Sequence, residues 1–268
     1  MISIPAMLER AARLNPQGQA MQHLDRKHSW ADLLDRVSRL GAALDTLGLD
    51  EGDRVAILSL NSDRYYESVF AIPWAGLCMV PLNTRWALLE NDYALRDSQA
   101  RILLFDDAFT EQAQQLVNDI DGLSRAVYMG DGDCPSWALD YEQAIDDHTP
   151  IPASLRGGDD MAGVFYTGGT TGFPKGVMQS HRAIYSSALG ALPDFQMTRD
   201  SVYLHVAPMF HMADFAGSMG TTLCAASHYV LKAFDPSEVL RTLSAEPGSL
   251  SFQASSPKTP AYNRLSVN

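Results

Sequence analysis

Residues 166–176 read YTGGTTGFPKG and combine three features that suit a polyanion. Glycine has no Cβ atom, so its backbone can turn through positive φ and bring N–H groups close to phosphate oxygens. Threonine hydroxyls add hydrogen-bond donors, and the Lys175 ammonium can neutralise charge that develops on a phosphoryl group. We therefore predict a phosphate-binding loop, formed by Thr167, Gly168, Gly169, Thr170, Thr171, Gly172 and Lys175.

The loop follows a short apolar run at residues 161–165 and precedes a helical pattern that begins near His181. This order predicts a loop between a strand and a helix, at the carboxyl end of the strand, where α/β proteins bind ligands. The loop is not the common P-loop, which requires Ser or Thr after its lysine, whereas Gly176 follows Lys175. The G-x-G-x-x-G spacing of a kinase glycine loop is also absent. A glycine–threonine turn without a ligand is the alternative.

A second candidate residue is His211, which closes the segment PMFH after an apolar run at residues 201–206. Its position predicts a place at the mouth of a pocket. A lone histidine after an apolar run is, however, usually a packed or hydrogen-bonded bystander. The residue type alone therefore leaves the role of His211 open.

The remaining pattern alternates between apolar runs of strand length and helical periodicity. Predicted helices span residues 4–14, 30–47 (with Ser29 as N-cap), 63–71, 88–95, 109–120, 181–192, 215–224 and 236–243. Predicted strands span residues 55–58, 79–82, 101–105, 125–128, 161–165, 201–206 and 228–231. This alternation predicts an α/β fold with parallel-rich β-sheets flanked by helices.

Composition narrows the classes of partner. A formal net charge of -12 argues against nucleic acid and anionic membrane, because both need a basic face. The three cysteines are widely spaced and the loop acids lack calcium-loop spacing, so no disulfide framework and no metal site are predicted. Neither a signal peptide nor a transmembrane segment is indicated. We therefore expect a cytoplasmic protein with small-molecule ligands.

Three segments, in order along the chain, resemble the adenylate-forming (AMP-binding) acyl-CoA synthetase superfamily. GDRV at residues 52–55 with GLCMVPLN at residues 76–83 is similar to its amino-terminal block. YTGGTTGFPKG resembles its phosphate-loop signature, and PMFH at residues 208–211 resembles the segment beside its acyl pocket. The matches cover roughly residues 1–248.

This resemblance implies a fold, a reaction and its participants. The fold would be the large N-terminal domain of the adenylate-forming enzymes. The reaction would join a fatty or aryl carboxylic acid to CoA, using ATP and Mg²⁺ and releasing AMP and pyrophosphate. The phosphate loop would hold the β- and γ-phosphates, with Lys175 acting in catalysis, and His211 would border the acyl group and the entry of the CoA thiol.

The family pattern stops near residue 248, so we expect residues 1–248 to be an incomplete N-terminal domain and residues 249–268 an atypical tail, disordered or out of frame. The family's adenine, ribose and magnesium motifs and its carboxyl-terminal lysine are not found. Weak ATP binding and almost no turnover are therefore expected of this chain alone. A non-catalytic acyl- or nucleotide-binding module and an unrelated phosphotransferase are the alternatives. The acid used and the oligomeric state are left open.

Overall fold

The computed structural model of the chain describes residues 2–168, 173–245 and 249–251. The helices are α1 Ile4–Leu14, α2 Trp30–Asp45, α3 Asp63–Trp74, α4 Leu88–Ser98, α5 Thr110–Asp119, α6 Tyr141–Asp146, α7 His181–Phe195, α8 Met212–Cys224 and α9 Pro236–Ala245. The strands are β1 Gln19–His23, β2 Arg26–Ser29, β3 Arg54–Leu58, β4 Cys78–Pro81, β5 Ala100–Phe105, β6 Arg125–Tyr128, β7 Leu139–Asp140, β8 Met161–Thr167, β9 Lys175–Ser180, β10 Val202–His205, β11 Ser227–Val230 and β12 Ser249–Ser251.

The strands form two sheets. The larger sheet has seven strands in the order β7-β6-β5-β3-β4-β8-β9, and its pairs are parallel except β8 with β9. The smaller sheet has five strands in the order β12-β10-β11-β1-β2, and only β1 with β2 is antiparallel. The prediction of parallel-rich sheets flanked by helices is confirmed.

Helices cover the sheets in layers. The main core lies between the two sheets and contains apolar side chains from both of them and from α1, α2, α3, α7 and α8. A second core on the other face of the larger sheet packs it against α4 and α5. A third cluster joins the smaller sheet to α9 through Leu243. Strands buried on both faces explain the continuous apolar runs seen in the sequence.

Local signals fixed several elements. The Ser29 hydroxyl accepts a hydrogen bond from the Asp32 N–H (3.1 Å), and the Asp32 carboxylate accepts one from the Ser29 N–H (3.0 Å). This reciprocal capping box begins α2, as the sequence predicted. No helix in the described ranges is both long and apolar enough to cross a bilayer.

Among the described elements, the sequence patterns missed strands β1, β2, β7, β9 and β12 and helix α6. β1 and β2 have few β-branched residues and owe their extended form to pairing of β1 with β11, some 200 residues away in the chain. β9 was missed because it is an edge strand whose first four residues are exposed, so no apolar alternation marks it. Such strands depend on long-range pairing that no local pattern records.

Candidate functional site

The predicted phosphate loop joins two strands. Thr167 ends β8 and pairs with Lys175, the first residue of β9. The prediction that the loop leads directly into a helix is therefore wrong, because β9 lies between it and α7. Thr167 Oγ1 donates to the Lys175 carbonyl at 3.5 Å across the base of this connection. Four of the predicted phosphate ligands lie outside the described residues: Gly169, Thr170, Thr171 and Gly172.

The described part of the loop is open to solvent. Thr167, Gly168 and Lys175 are all exposed. A Cβ added to Gly168 would meet no atom within 4 Å. Within the described ranges the Lys175 ammonium has no acidic partner. The base of the loop therefore presents an exposed cation that is unpaired among the described residues, which suits an anion site.

The amino-terminal block lies in the same sheet. The Gly52 N–H donates to the Gly76 carbonyl at 2.9 Å, just before β3 and β4 begin. Both glycines have positive φ, +83° and +78°, which side chains rarely adopt. β4 in turn lies beside β8 at the Met79–Gly163 pair, where a Cβ on Gly163 would lie 2.6 Å from Met79 Cγ. The block and the phosphate loop thus belong to adjacent strands.

The residues after β3 connect the two sheets at this edge. Asn61 is buried, donates from Nδ2 to the Ala207 carbonyl at 2.8 Å, and accepts from the Met209 N–H at 2.8 Å. Ala207 and Met209 flank Pro208, the first residue of the PMFH segment. The segment that carries His211 is therefore held by a side chain from the larger sheet.

A buried carboxylate supports the same loop. Asp106, directly after β5, accepts hydrogen bonds from the Leu60 N–H (2.9 Å) and the Ser59 hydroxyl (3.1 Å). Burial raises the pKa of Asp106, and these hydrogen bonds oppose that rise. The loop that positions Asn61 is thus fixed from the neighbouring strand.

His211 is an exposed N-cap. It precedes α8, and its Nδ1 accepts a hydrogen bond from the Ala213 N–H at 3.2 Å. This is a structural role of the kind that histidines commonly play. Its Nε2 side is nevertheless available, because the side chain is exposed.

An aromatic contact joins the segments that carry the two motifs. Phe165, two residues before Thr167, packs edge-on against Phe215 in the first turn of α8, with ring centroids 5.1 Å apart. Both rings are buried. The end of β8 and the start of α8 therefore lie side by side, which brings the phosphate-loop strand next to the His211 segment.

Sequence analysis missed a buried chain of polar groups behind His211. His205 Nδ1 lies 2.8 Å from Asp214 Oδ2, and its Nε2 lies 3.0 Å from His228 Nδ1. His228 Nε2 lies 3.0 Å from the Tyr66 hydroxyl. We call these four residues the histidine relay. Burial, and then the neighbouring His205, lowers the pKa of His228 well below its usual value.

The direction of the relay depends on the protonation of its two imidazoles. With both neutral and His205 Nδ1–H donating to Asp214, His228 Nδ1–H donates to His205 and Tyr66 O–H donates to His228. Its members come from α3, β10, α8 and β11, and no sequence spacing links them. Only the pairing of β10 with β11 shows that two histidines share a face.

The described ranges contain no group of three or more His, Cys, Asp or Glu side chains arranged to hold a metal ion. Asp131, in the turn after β6, pairs with Arg26 at 2.7 Å and with Arg64 at 3.1 Å.

The chain is similar to known proteins along most of its length. The model of the AMP-binding enzyme family matches residues 8–251. A feruloyl-CoA synthase from Amycolatopsis sp is 34% identical over 245 residues, which cover 91% of this chain and 47% of that protein. A long-chain-fatty-acid–CoA ligase from Thermus thermophilus is 31% identical over 258 residues, covering 93% of this chain and 47% of that protein.

Solved structures show the same fold. An anthranilate CoA ligase, AuaEII, in complex with anthranoyl-AMP superimposes with a TM-score of 0.87 at 24% identity, covering 94% of this chain and 49% of that one. ATP-bound MatB from Rhodopseudomonas palustris gives a TM-score of 0.78 at 28% identity, covering 89% and 48%. The chain spans about half the length of the curated relatives that it matches. From its motifs, its sheets and these matches, the chain belongs to the AMP-binding enzyme family.

Proposed function

We propose that the chain is the amino-terminal portion of an ATP-dependent acyl-CoA synthetase, with residues 1–248 forming part of the catalytic N-terminal domain. The observation that carries the proposal is the exposed base of the glycine–threonine loop, where Lys175 has no acidic partner among the described residues, in a chain of the AMP-binding family. The relatives named above are CoA ligases or synthases, which favours acyl transfer to CoA over other uses of an adenylate.

The proposed reaction has two steps. A carboxylate oxygen attacks the α-phosphorus of ATP, and the bond between that phosphorus and the oxygen bridging to the β-phosphate breaks. Pyrophosphate is released and an acyl-adenylate is formed. The sulfur of CoA then attacks the acyl carbon, the thiol loses its proton, and AMP leaves. Both steps concentrate negative charge, so positioning and electrostatic stabilisation supply most of the catalysis.

The chain's own residues have distinct parts in this scheme. Thr167, Gly168 and Lys175, with Gly169, Thr170, Thr171 and Gly172, would bind the β- and γ-phosphates. Lys175 would neutralise charge on the departing pyrophosphate. Exposed His211, with the adjoining segment, would border the acyl group and the thiol entry. The described residues do not fit a Mg²⁺ site, so no step is assigned to that ion.

The substrate class is proposed from the relatives. One is a feruloyl-CoA synthase and another a long-chain-fatty-acid–CoA ligase, so an aryl or a fatty acid is the class to test first. Both acids need an apolar channel that ends near the α-phosphorus. The Phe165–Phe215 pair lies between the phosphate-loop strand and the His211 segment, where such a channel would start.

The first test measures ATP binding by calorimetry. Lys175→Ala should weaken binding by about tenfold or more, because a charge-assisted contact to phosphate is lost. Lys27→Ala is the matched control, since Lys27 is an exposed lysine on β2 at the edge of the other sheet. Equal ATP affinity of Lys175→Ala and the unchanged protein would contradict the phosphate role.

A second assay separates catalysis from binding. Exchange of labelled pyrophosphate into ATP that depends on an added carboxylic acid requires acyl-adenylate formation. Such exchange by this chain supports a synthetase. Exchange would contradict the alternative, a non-catalytic acyl- or nucleotide-binding module, whereas binding of ATP or acyl-AMP without exchange is expected both of that module and of an incomplete synthetase domain.

A further inference from the structure

Helix α4 touches both ends of the phosphate loop. The ring of Tyr93 stacks on the ring of Phe173, with centroids 4.6 Å apart and planes at 21°. One turn later, Asp97 Oδ2 accepts a hydrogen bond from the Tyr166 hydroxyl at 2.6 Å. Residues four apart share one helix face. A single face of α4 therefore contacts the residue before Thr167 and the residue after Gly172.

The two contacts of α4 are an aromatic stack and a side-chain hydrogen bond. Phe173 is 66% exposed, so its position on Tyr93 does not result from burial in a core. Tyr166 is half-buried, and burial together with the hydrogen bond to Asp97 raises its pKa, so the hydroxyl stays a donor. Trp86, just before α4, adds an edge-on contact to the Tyr166 ring at 6.3 Å.

The helix itself is firmly placed. Ala94 and Leu95, on the opposite side of α4, are fully buried in the core between α4, α5 and the larger sheet. At its start the Ala87 N–H donates to the Glu90 carboxylate at 2.8 Å, which is one half of a capping box and holds the first turn. Contacts to α4 therefore tie the loop ends to the sheet rather than to another loop.

Fixing these ends affects phosphate binding. Ordering a chain segment on binding costs conformational entropy and so lowers affinity. Contacts that hold both ends of a binding loop in place before the ligand arrives remove part of that cost. We propose that Tyr93 and Asp97 are positioning residues that set the separation and direction of the two ends of the phosphate loop. This inference rests on the proposed function.

The test compares binding of ATP with binding of AMP, because only ATP carries the β- and γ-phosphates assigned to the loop. Tyr93→Ala should lower ATP affinity about three- to tenfold and leave AMP affinity unchanged. Tyr93→Phe keeps the ring and should bind ATP normally. Asp97→Ala should act like Tyr93→Ala, whereas Asp97→Asn keeps an acceptor for Tyr166.

Two single variants, Phe173→Ala and Arg96→Ala, and one double variant distinguish loss of the stack from loss of folding. Phe173→Ala changes an exposed ring and should reproduce the effect of Tyr93→Ala, and the double variant should be no weaker than either single one, because both remove the same stack. Arg96→Ala, on an exposed α4 residue paired only with Asp92 and the Asp119 carbonyl among described contacts, is the control for α4 and should bind ATP normally.

The outcomes separate the two proposals. If Lys175→Ala weakens ATP binding and Tyr93→Ala does not, the positioning role is wrong and the phosphate site stands. If Tyr93→Ala weakens ATP and AMP equally, its effect is general to the fold and the positioning role is again wrong. If Lys175→Ala has no effect, the proposed function and this inference fall together.

Discussion

At the scale of single residues, His181 links the start of one helix to another. It is the first residue of α7, only 1% exposed, and its Nδ1 accepts a hydrogen bond from the Ile4 N–H at the start of α1 (3.2 Å). Only an unprotonated Nδ1 can accept this bond. Burial, and secondarily Arg156, lowers the pKa of His181 to about 4. The neutral imidazole is therefore the form that the fold requires.

Because the pKa of His181 is lowered in the folded state, we expect the folded protein to lose stability in acid. In the unfolded chain its pKa lies near 6.5, so between pH 6.5 and 4 the unfolded state binds a proton that the folded state does not. Lowering the pH through this window should cost at most about 3 kcal/mol of unfolding free energy. Urea unfolding from pH 7.5 to 4 measures it. His181→Gln should reduce the slope, and an unchanged slope would show that His181 is not the group responsible.

Site residues can be proposed from sequence where the chemistry is local. Lys175, Thr167 and Gly168 are proposed as phosphate ligands because glycine, hydroxyl and cation stand together in one short segment. His205 and His228 are not, because each looks like an ordinary histidine in an apolar run. The two histidines come onto one face of the sheet only when β10 and β11 pair. Their separation in the sequence does not indicate this.

At the scale of elements, Asn61 joins the loop after β3 to the segment before α8 through two hydrogen bonds. Asn61→Ala would leave the buried Ala207 carbonyl and Met209 N–H without this partner. We expect a loss of about 1–3 kcal/mol in unfolding free energy, measured by urea titration. Asn83→Ala is the control, because the partly exposed Asn83 after β4 makes one hydrogen bond, to the Arg85 N–H. Equal losses of unfolding free energy in the two variants would show that Asn61 does not hold these segments together.

Helices and strands could be predicted from the sequence where one face is apolar and the other polar. Helices α1 and α2 were read from apolar spacing and an N-cap, which are local properties. β9 was missed, and with it the true connection of the phosphate loop, because an exposed edge strand has no buried face to pattern. The position of the loop at the end of a strand could thus be predicted from sequence, while the second strand that follows it could not.

At the scale of the whole molecule, the histidine relay ties the layer between the sheets to the smaller sheet. Tyr66 lies on α3, which packs in the core shared by both sheets, and donates to His228 on β11. His205 on β10 continues the relay to Asp214 on α8, three residues beyond His211. The position of the His211 segment therefore depends on bonds that reach across the core.

Two adjacent tyrosines test this dependence. Tyr65 and Tyr66 are 1% and 0% exposed, but the Tyr65 hydroxyl has no hydrogen-bond partner in the described chain. Tyr66→Phe should cost about 1–3 kcal/mol of unfolding free energy, because it removes a hydroxyl that hydrogen-bonds both His228 Nε2 (3.0 Å) and Thr222 Oγ1 (2.5 Å). Thr222 Oγ1 lies 3.5 Å from that nitrogen but donates to the Ser218 carbonyl at 3.0 Å, so it is a poor replacement.

The matched control removes the other hydroxyl. Tyr65→Phe deletes a buried polar group that lacks a partner in the described chain, so stability should be unchanged or slightly higher. Urea unfolding of both variants at pH 7.5 gives the comparison, since each loses one oxygen from a fully buried ring. If Tyr66→Phe is as stable as Tyr65→Phe, the relay does not hold the smaller sheet to the core, and the His211 segment must be positioned by Asn61 and Phe215 alone.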